Sequence, residues 1–257
     1  TDLFTQWSID YIEKNKSSKN PFFLFLNYNA PHSPIQPPKK WLSSVIKRER
    51  NSTEGRQKLI AFIEHLDDSV DKVINSLENN NLLDNTIIIF TSDNGGALHY
   101  SASNKPFNGG KGNMLEGGIR IPCIVKWSNV IKPGVVNDPI MLMDFYPTLV
   151  SISREFNDYN LPSKNILPLL KDEELSYDSR FMVWIRREGH VFGGRDFYAI
   201  SNGRFKLLQN SPFEPYKLYD LEKDPFEENP IENKEVKSLL LKKLTKHIQV
   251  SGNIPWQ

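Results

Sequence analysis

Apolar residues at the start of the chain fall at helical spacing. Phe4, Trp7, Tyr11 and Ile12 share one face, so residues 4–12 are expected to form an amphipathic helix that ends in the polar loop 14–20. Residues 22–28 are a short continuous apolar run, the pattern of a strand covered on both faces. Pro31, Pro34, Pro37 and Pro38 then discourage helix. The clearest helical signal follows, where Leu59, Ile63, Leu66, Val70, Val73 and Leu77 step by four and three. Ser52 or Thr53 can cap its start, and the Asn79, Asn80, Asn81 cluster ends it.

A β-branched run at 86–91 reads as a buried parallel strand, so strand, loop, long helix and strand make one βαβ-like unit. Residues 92–118 are rich in Gly, Asn and Ser and show no periodicity, and a loop of that length inside a compact domain is usually functional. A further strand is expected at 122–127 and a helix near 140–153. Beyond Pro168 the character changes. Short strand-like runs at 182–185, 197–200, 204–208 and 217–219 are separated by turn residues such as Asn202 and Gly203, which predicts a small antiparallel sheet. An amphipathic helix over about 234–250 closes the chain. The expected division is a catalytic α/β portion at 1–168 and a small α+β subdomain at 169–257.

Composition narrows the function. Lys plus Arg number 32 against 31 Asp plus Glu, so no basic stripe argues for nucleic acid. No apolar run reaches the length of a membrane span, and no leader pattern opens the chain. The first residue is Thr1 rather than Met, so the natural start is expected to lie upstream. With a single cysteine, Cys123, an intrachain disulfide framework is excluded. Cys123 sits in a predicted strand and is expected to be a buried core residue.

Three places carry candidate chemistry. The first is Ser92-Asp93-Asn94-Gly95-Gly96, just past a strand end, where open α/β sheets bind ligands. Adjacent carboxylate and amide oxygens suit a hard cation such as calcium, although a plain turn after a strand explains the same residues. The second is Lys111, framed by glycines in Gly109-Gly110-Lys111-Gly112. A point charge there can meet a sulfate or phosphate oxygen, and the spacing does not match a phosphate loop of NTPases. An exposed lysine in a loop is the plain alternative. The third is His32 in Ala30-Pro31-His32-Ser33-Pro34, with the pKa range of a general acid or base, or simply a surface histidine. His65 lies beside Asp67, Asp68 and Asp71, where a solvated helix face outweighs a metal site. A doubly wound sheet would carry His32, Asp93, Asn94 and Lys111 to one edge, around a metal-bound oxyanion.

In their order along the chain these stretches resemble the type I, formylglycine-dependent sulfatases of the alkaline-phosphatase-like superfamily. The resemblance rests on Ala30-Pro-His-Ser-Pro, Thr91-Ser-Asp-Asn-Gly-Gly, Gly110-Lys-Gly-Asn-Met-Leu-Glu-Gly-Gly-Ile-Arg-Ile-Pro, Met143-Asp-Phe-Tyr-Pro-Thr-Leu, Gly203-Arg-Phe-Lys-Leu-Leu and Leu218-Tyr-Asp-Leu-Glu-Lys-Asp-Pro. It implies the C-terminal part of a doubly wound mixed α/β sheet, followed by a small antiparallel sheet with a helix. It further implies that Asp93 and Asn94 are calcium ligands, that Lys111 holds a sulfate oxygen, and that His32 is the acid near the leaving oxygen. Asn104 and His99 would border the substrate pocket.

The implied reaction is hydrolysis of a sulfate monoester of a sugar or glycan, in a periplasmic or secreted protein. No Cys/Ser-x-Pro-x-Arg motif for formylglycine is present, nor is the first pair of metal carboxylates, so this chain is expected to show no turnover alone. Trp184, Arg186, Arg187 and His190 can contact the substrate, or equally belong to the small sheet's packing and surface. A phosphodiesterase or phosphonate hydrolase of the same superfamily, and a non-catalytic binding or remnant domain, are the rival functions. Oligomeric state is not legible in the sequence.

Overall fold

The computed structural model describes residues 1–153, 162–173, 180–187 and 196–252, which divide into two compact units. The first unit holds Thr1–Ile89, Ala97–Ser103 and Ile124–Val130, and the second holds Phe90–Gly96, Asn104–Cys123 and Ile131–Gln257.

Three helices build the first unit. They are α1 (Asp2–Asn15), α2 (Lys39–Arg48) and α3 (Glu54–Asn79). The Thr53 side chain accepts from the Arg56 backbone N–H at 3.3 Å and so caps α3, as the sequence predicts. Both α1 and α2 pack on α3. The covered face of α3 coincides only in part with the six apolar residues that mark its period. Leu59, Ala61, His65, Ser69 and Leu77 are buried, whereas Ile63 is exposed and Leu66, Val70 and Val73 are half-buried. Small Ala and Ser side chains allow close helix approach, and Ser69 and Ser8 return their hydroxyls to carbonyls one turn back. His65 is buried and bonds Asp2 through Nε2 at 2.7 Å, so it joins α1 to α3 and stands apart from the exposed Asp67 and Asp71. Helix α2 follows the proline run and has no counterpart among the sequence expectations.

Residues 22–28 depart from the expected covered strand. They have no strand assignment, and burial alternates along them, with Phe23 and Phe25 exposed at 72% and 74% while Phe22, Leu24 and Leu26 are half-buried. Alternation is the signature of an extended segment with one open face. Strands β1 (Ile88–Thr91) and β2 (Cys123–Lys126) form a two-stranded sheet. Cys123 is exposed, contrary to its expected place in a core, because β2 is open to solvent along most of its length.

The second unit is dominated by the antiparallel sheet that the sequence predicts. Its order is β3 (Met182–Arg187), β4 (Asp196–Ser201), β5 (Phe205–Gln209) and β6 (Lys217–Asp220). Period-2 alternation gives the sheet two apolar faces. On one face Ile200, Leu207 and Leu218 pack with Leu240 and Leu244 of the closing helix α7 (Lys234–Gly252). Each fully buried Leu or Ile there stabilises by about 1.5–3 kcal/mol relative to exposure. On the other face Ala199, Leu208 and Tyr219 receive Met114, with Leu115 and Ile119 alongside, from the glycine-rich segment that carries Lys111. The helix expected near 140–153 is a 3₁₀ turn (Leu142–Asp144) running into α5 (Phe145–Ser153), and two short helices, α4 (Glu116–Ile119) and α6 (Leu167–Leu170), complete the unit.

Candidate functional site

Strand β1 releases the chain into Ser92-Asp93-Asn94-Gly95-Gly96, and this turn meets the lysine loop backbone to backbone. The Gly95 N–H donates to Gly118 O at 2.9 Å, and the Lys111 N–H donates to Gly96 O at 3.1 Å. A Cβ on Gly95 would lie 1.9 Å from Gly117 O, so only glycine permits this approach. Gly112 has φ +89, and there too a Cβ would strike a neighbour, the Arg186 guanidinium.

Asn104 binds the two loops into one body. Its Oδ1 accepts from the Gly96 N–H at 2.8 Å, while its Nδ2 donates to Gly96 O at 2.9 Å and to Gly109 O at 3.0 Å. Both ends of the amide are therefore occupied by backbone. Asn104→Ala leaves the Gly96 N–H and the Gly109 carbonyl to find other partners, while Gly96 O keeps the Lys111 N–H, and an unsatisfied buried polar group costs about 1–3 kcal/mol. We expect the variant to lose about 2 kcal/mol in urea unfolding. A loss below about 0.5 kcal/mol would show that water replaces all three bonds.

The Asp93 carboxylate is exposed and has no hydrogen bond or ion pair among the described residues. Asn94 is half-buried, and its Nδ2 donates to Gly95 O at 3.1 Å, while Oδ1 has no donor among the described residues. Two neighbouring side chains thus offer uncommitted oxygens, the donor type a hard cation takes. Among the described residues, no group of three or more His, Cys, Asp or Glu side chains is placed to hold a metal ion. The Lys111 side chain is exposed, and its ammonium makes no ion pair among the described residues.

His32 and His99 belong to the first unit. His32 is exposed, with Nδ1 at 2.9 Å from Ser33 O. Ser33 O can only accept, so Nδ1 carries the proton of this bond, and Nε2 takes no part in it. His99 lies in a 3₁₀ turn (Leu98–Tyr100), its ring 4.3 Å from that of Tyr100. Within the second unit, then, the fold joins the loops of Asp93, Asn94, Asn104 and Lys111.

The sheet residues considered for substrate contact are engaged with the protein. Arg186 reaches Gly112 O and lies over the Phe197 ring. Arg187 donates to Tyr198 OH at 3.1 Å and pairs with Asp196 at 3.4 Å. Trp184 packs with the cluster around Met114. His190 lies outside the described residues.

Two buried charge groups escaped the sequence reading. Asp144 is fully buried; Arg180 binds it with two hydrogen bonds of 2.7 Å, and the N–H groups of Met141 and Lys164 donate to it at 2.7 and 2.9 Å. Lys206 is also fully buried and donates to Glu116 Oε1 at 2.7 Å, with Glu227 Oε1 at 2.9 Å. A signal for Lys206 existed: period 2 along β5 puts it on the same face as Leu208, where a charge demands partners.

Comparisons with known proteins give the family of the chain. A family model described as Sulfatase matches residues 1–153, and one described as N-sulphoglucosamine sulphohydrolase, C-terminal, matches residues 109–252. The uncharacterized sulfatase YdeN of Escherichia coli is 30% identical over 201 residues, covering 75% of this chain and 34% of that protein. A sulfatase of Formosa agariphila is 30% identical over 254 residues, covering 87% of this chain and 44% of that protein. The solved structure of Ps i-CgsB in complex with k-i-k-neocarrahexaose aligns with a TM-score of 0.84 at 28% identity, covering 96% of this chain and 53% of that one. The chain thus spans between about a third and just under half of these two curated relatives' lengths. It belongs to the sulfatase family, within the alkaline-phosphatase-like superfamily.

Proposed function

We propose that this chain supplies the sulfate-holding lysine and part of the cation site of a sulfatase that hydrolyses sulfate monoesters of sugars. The observation that carries this is the Asn104 knot, which fixes the Asp93–Asn94 turn and the Lys111 loop as one body with uncommitted oxygens and an uncommitted ammonium.

Asp93 and Asn94 fit calcium as oxygen donors. Together they give at most about three oxygens of the six to eight that calcium takes, so carboxylates from outside this chain complete the set. Calcium, when bound, draws negative charge from the sulfuryl oxygens. Lys111 meets one of those oxygens as a point charge, and its ammonium makes no ion pair among the described residues. His32 is the proton donor to the departing alcohol oxygen: as an imidazolium it keeps the Nδ1 proton on Ser33 O, gives the Nε2 proton to the alkoxide and is left neutral. The attacking group, a formylglycine, comes from outside these 257 residues, which hold no Cys/Ser-x-Pro-x-Arg motif.

The sugar preference leans on the relatives. Mouse N-acetylgalactosamine-6-sulfatase is 28% identical over 214 residues, covering 80% of this chain and 38% of that protein, and Ps i-CgsB was solved with an oligosaccharide. A periplasmic or secreted protein suits such substrates. No helix among the described residues is long and apolar enough to cross a membrane.

The same residues can hold a phosphoryl group, and the phosphonate monoester hydrolase of Agrobacterium radiobacter shares the fold, with a TM-score of 0.65 at 18% identity. The test joins this chain to a segment bearing the formylglycine motif and compares it with the chain alone. Sulfate release from a sulfated oligosaccharide by the joined protein only is the expected result. Faster cleavage of a phosphonate monoester than of any sulfate ester overturns the reading.

A further inference from the structure

The segment carrying Lys111 has little regular structure of its own. Between Gly109 and Glu116 it contains two glycines at positive φ and leads only into the four-residue helix α4. Its shape is imposed from outside, by Gly96 and Asn104 on one side and by the antiparallel sheet of the same unit, with the residues that follow its strands, on the other. Arg186 of β3 donates to Gly112 O. Asn210, just past β5, accepts from the Met114 N–H at 2.7 Å. Glu227 Oε2 accepts from the Glu116 N–H at 2.6 Å. Lys206 of β5 bridges the Glu116 and Glu227 carboxylates at 2.7 and 2.9 Å.

We infer that the sheet is a clamp for the Lys111 loop and that Lys206 is its positioning residue, a role that rests on Lys111 holding the sulfate. Three features single out Lys206. It is fully buried, so water does not replace it. It faces two carboxylates that would otherwise confront each other across a dry space, where like charges repel strongly. Glu227 is held at φ 58, a left-handed conformation uncommon for a residue other than glycine, and its side chain is buried. Backbone in that region persists where its surroundings over-determine it, and here the side-chain contacts of Glu227 to Lys206 and to the Glu116 N–H add to the turn bond from its own N–H to Asp224 O at 3.2 Å. Arg120, 3.7 Å from Glu116 Oε2, is largely exposed and balances the second carboxylate only from the solvent side. Met114 sits on the sheet beside this ion group, so the apolar and charged contacts hold one short stretch of chain from the same side.

The experiment is hydrogen exchange, read by residue, on the full chain with Lys206→Met, Lys206→Arg and Glu227→Gln. Lys206→Met is expected to speed exchange in residues 109–119 at least tenfold while the amides of β4 and β5 keep their protection. Lys206→Arg restores much of that protection because it keeps the charge. Glu227→Gln gives a smaller, equally local effect because the Lys206–Glu116 pair survives. Uniform acceleration across the sheet, or none in residues 109–119, overturns the clamp. Should Lys206→Met fail to fold, the double variant Lys206→Met/Glu227→Gln removes one of the two facing carboxylates and with it the like-charge repulsion, and the same local pattern is required of it and of Glu227→Gln. Exchange needs no turnover, so local loosening in a joined protein that releases no sulfate would count against the sulfatase reading and not against the ion group's hold on the loop.

Discussion

Asp144→Ala is expected to destabilise the chain by about 3–5 kcal/mol, the cost of leaving a buried charge without its partner. Asp144 is wholly buried and Arg180 nearly so, at 0% and 7% side-chain exposure, and the guanidinium meets the carboxylate end to end. Alanine would strand the Arg180 cation. It would also leave the N–H groups of Met141 and Lys164 without acceptors. The Met141 bond ties the carboxylate to the start of its own 3₁₀ turn, so α5 loses its lead-in as well. Urea denaturation gives the loss directly. The double variant Asp144→Ala/Arg180→Met removes both charges and should recover part of it, because an apolar pair of similar volume avoids the desolvation cost. A single-variant loss below about 1 kcal/mol would mean that water enters and solvates Arg180.

The sequence was most legible where local rules and tertiary packing agree. Strands β3 to β6 follow from alternating runs separated by turn residues, and their boundaries fall within about two residues of expectation. Helix α3 follows from spacing and a threonine cap, but the spacing does not say how deeply each residue is covered: of the six periodic residues Leu59 and Leu77 are buried and Ile63 is exposed. Ile63 and its neighbours are the larger side chains, and a reading by hydrophobicity picks them, while α1 and α2 pack where Ala61 and Ser69 leave room. Residues 22–28 and Cys123 show the other limit. A run of apolar residues predicts a covered strand, but cover is supplied by neighbours, and among the described residues Phe23 and Phe25 have none on their outer side.

For the candidate site, sequence could identify which residue types suit an anion and a cation but not what holds them. Asp93, Asn94 and Lys111 stand out by type and by their glycine neighbours. The role of Asn104 as a knot depends on three backbone partners that no spacing rule encodes. Lys206 and Asp144 are distant in sequence from their partners, 90 residues from Glu116 and 36 from Arg180, so only tertiary structure pairs them.

Lys111→Ala, in the chain joined to its nucleophile-bearing part, should lower kcat/KM on a sulfated oligosaccharide by about 100- to 1,000-fold, the scale of losing one preorganised charge-stabilising donor. The loss falls on the transition state, where negative charge spreads over the sulfuryl oxygens, so kcat carries most of it and KM less. Lys111→Arg keeps the charge but brings a planar, longer head group into a loop shaped by Gly110 and Gly112, and should recover only part of the rate. The ammonium makes no ion pair among the described residues and the side chain is exposed, so the alanine variant should unfold within about 0.5 kcal/mol of the parent. That pairing of a large rate loss with unchanged stability separates a group that acts on substrate from one that supports the fold. A rate within tenfold of the parent, or a loss that tracks unfolding, would remove Lys111 from the chemistry and leave the glycine-framed loop without its assigned purpose.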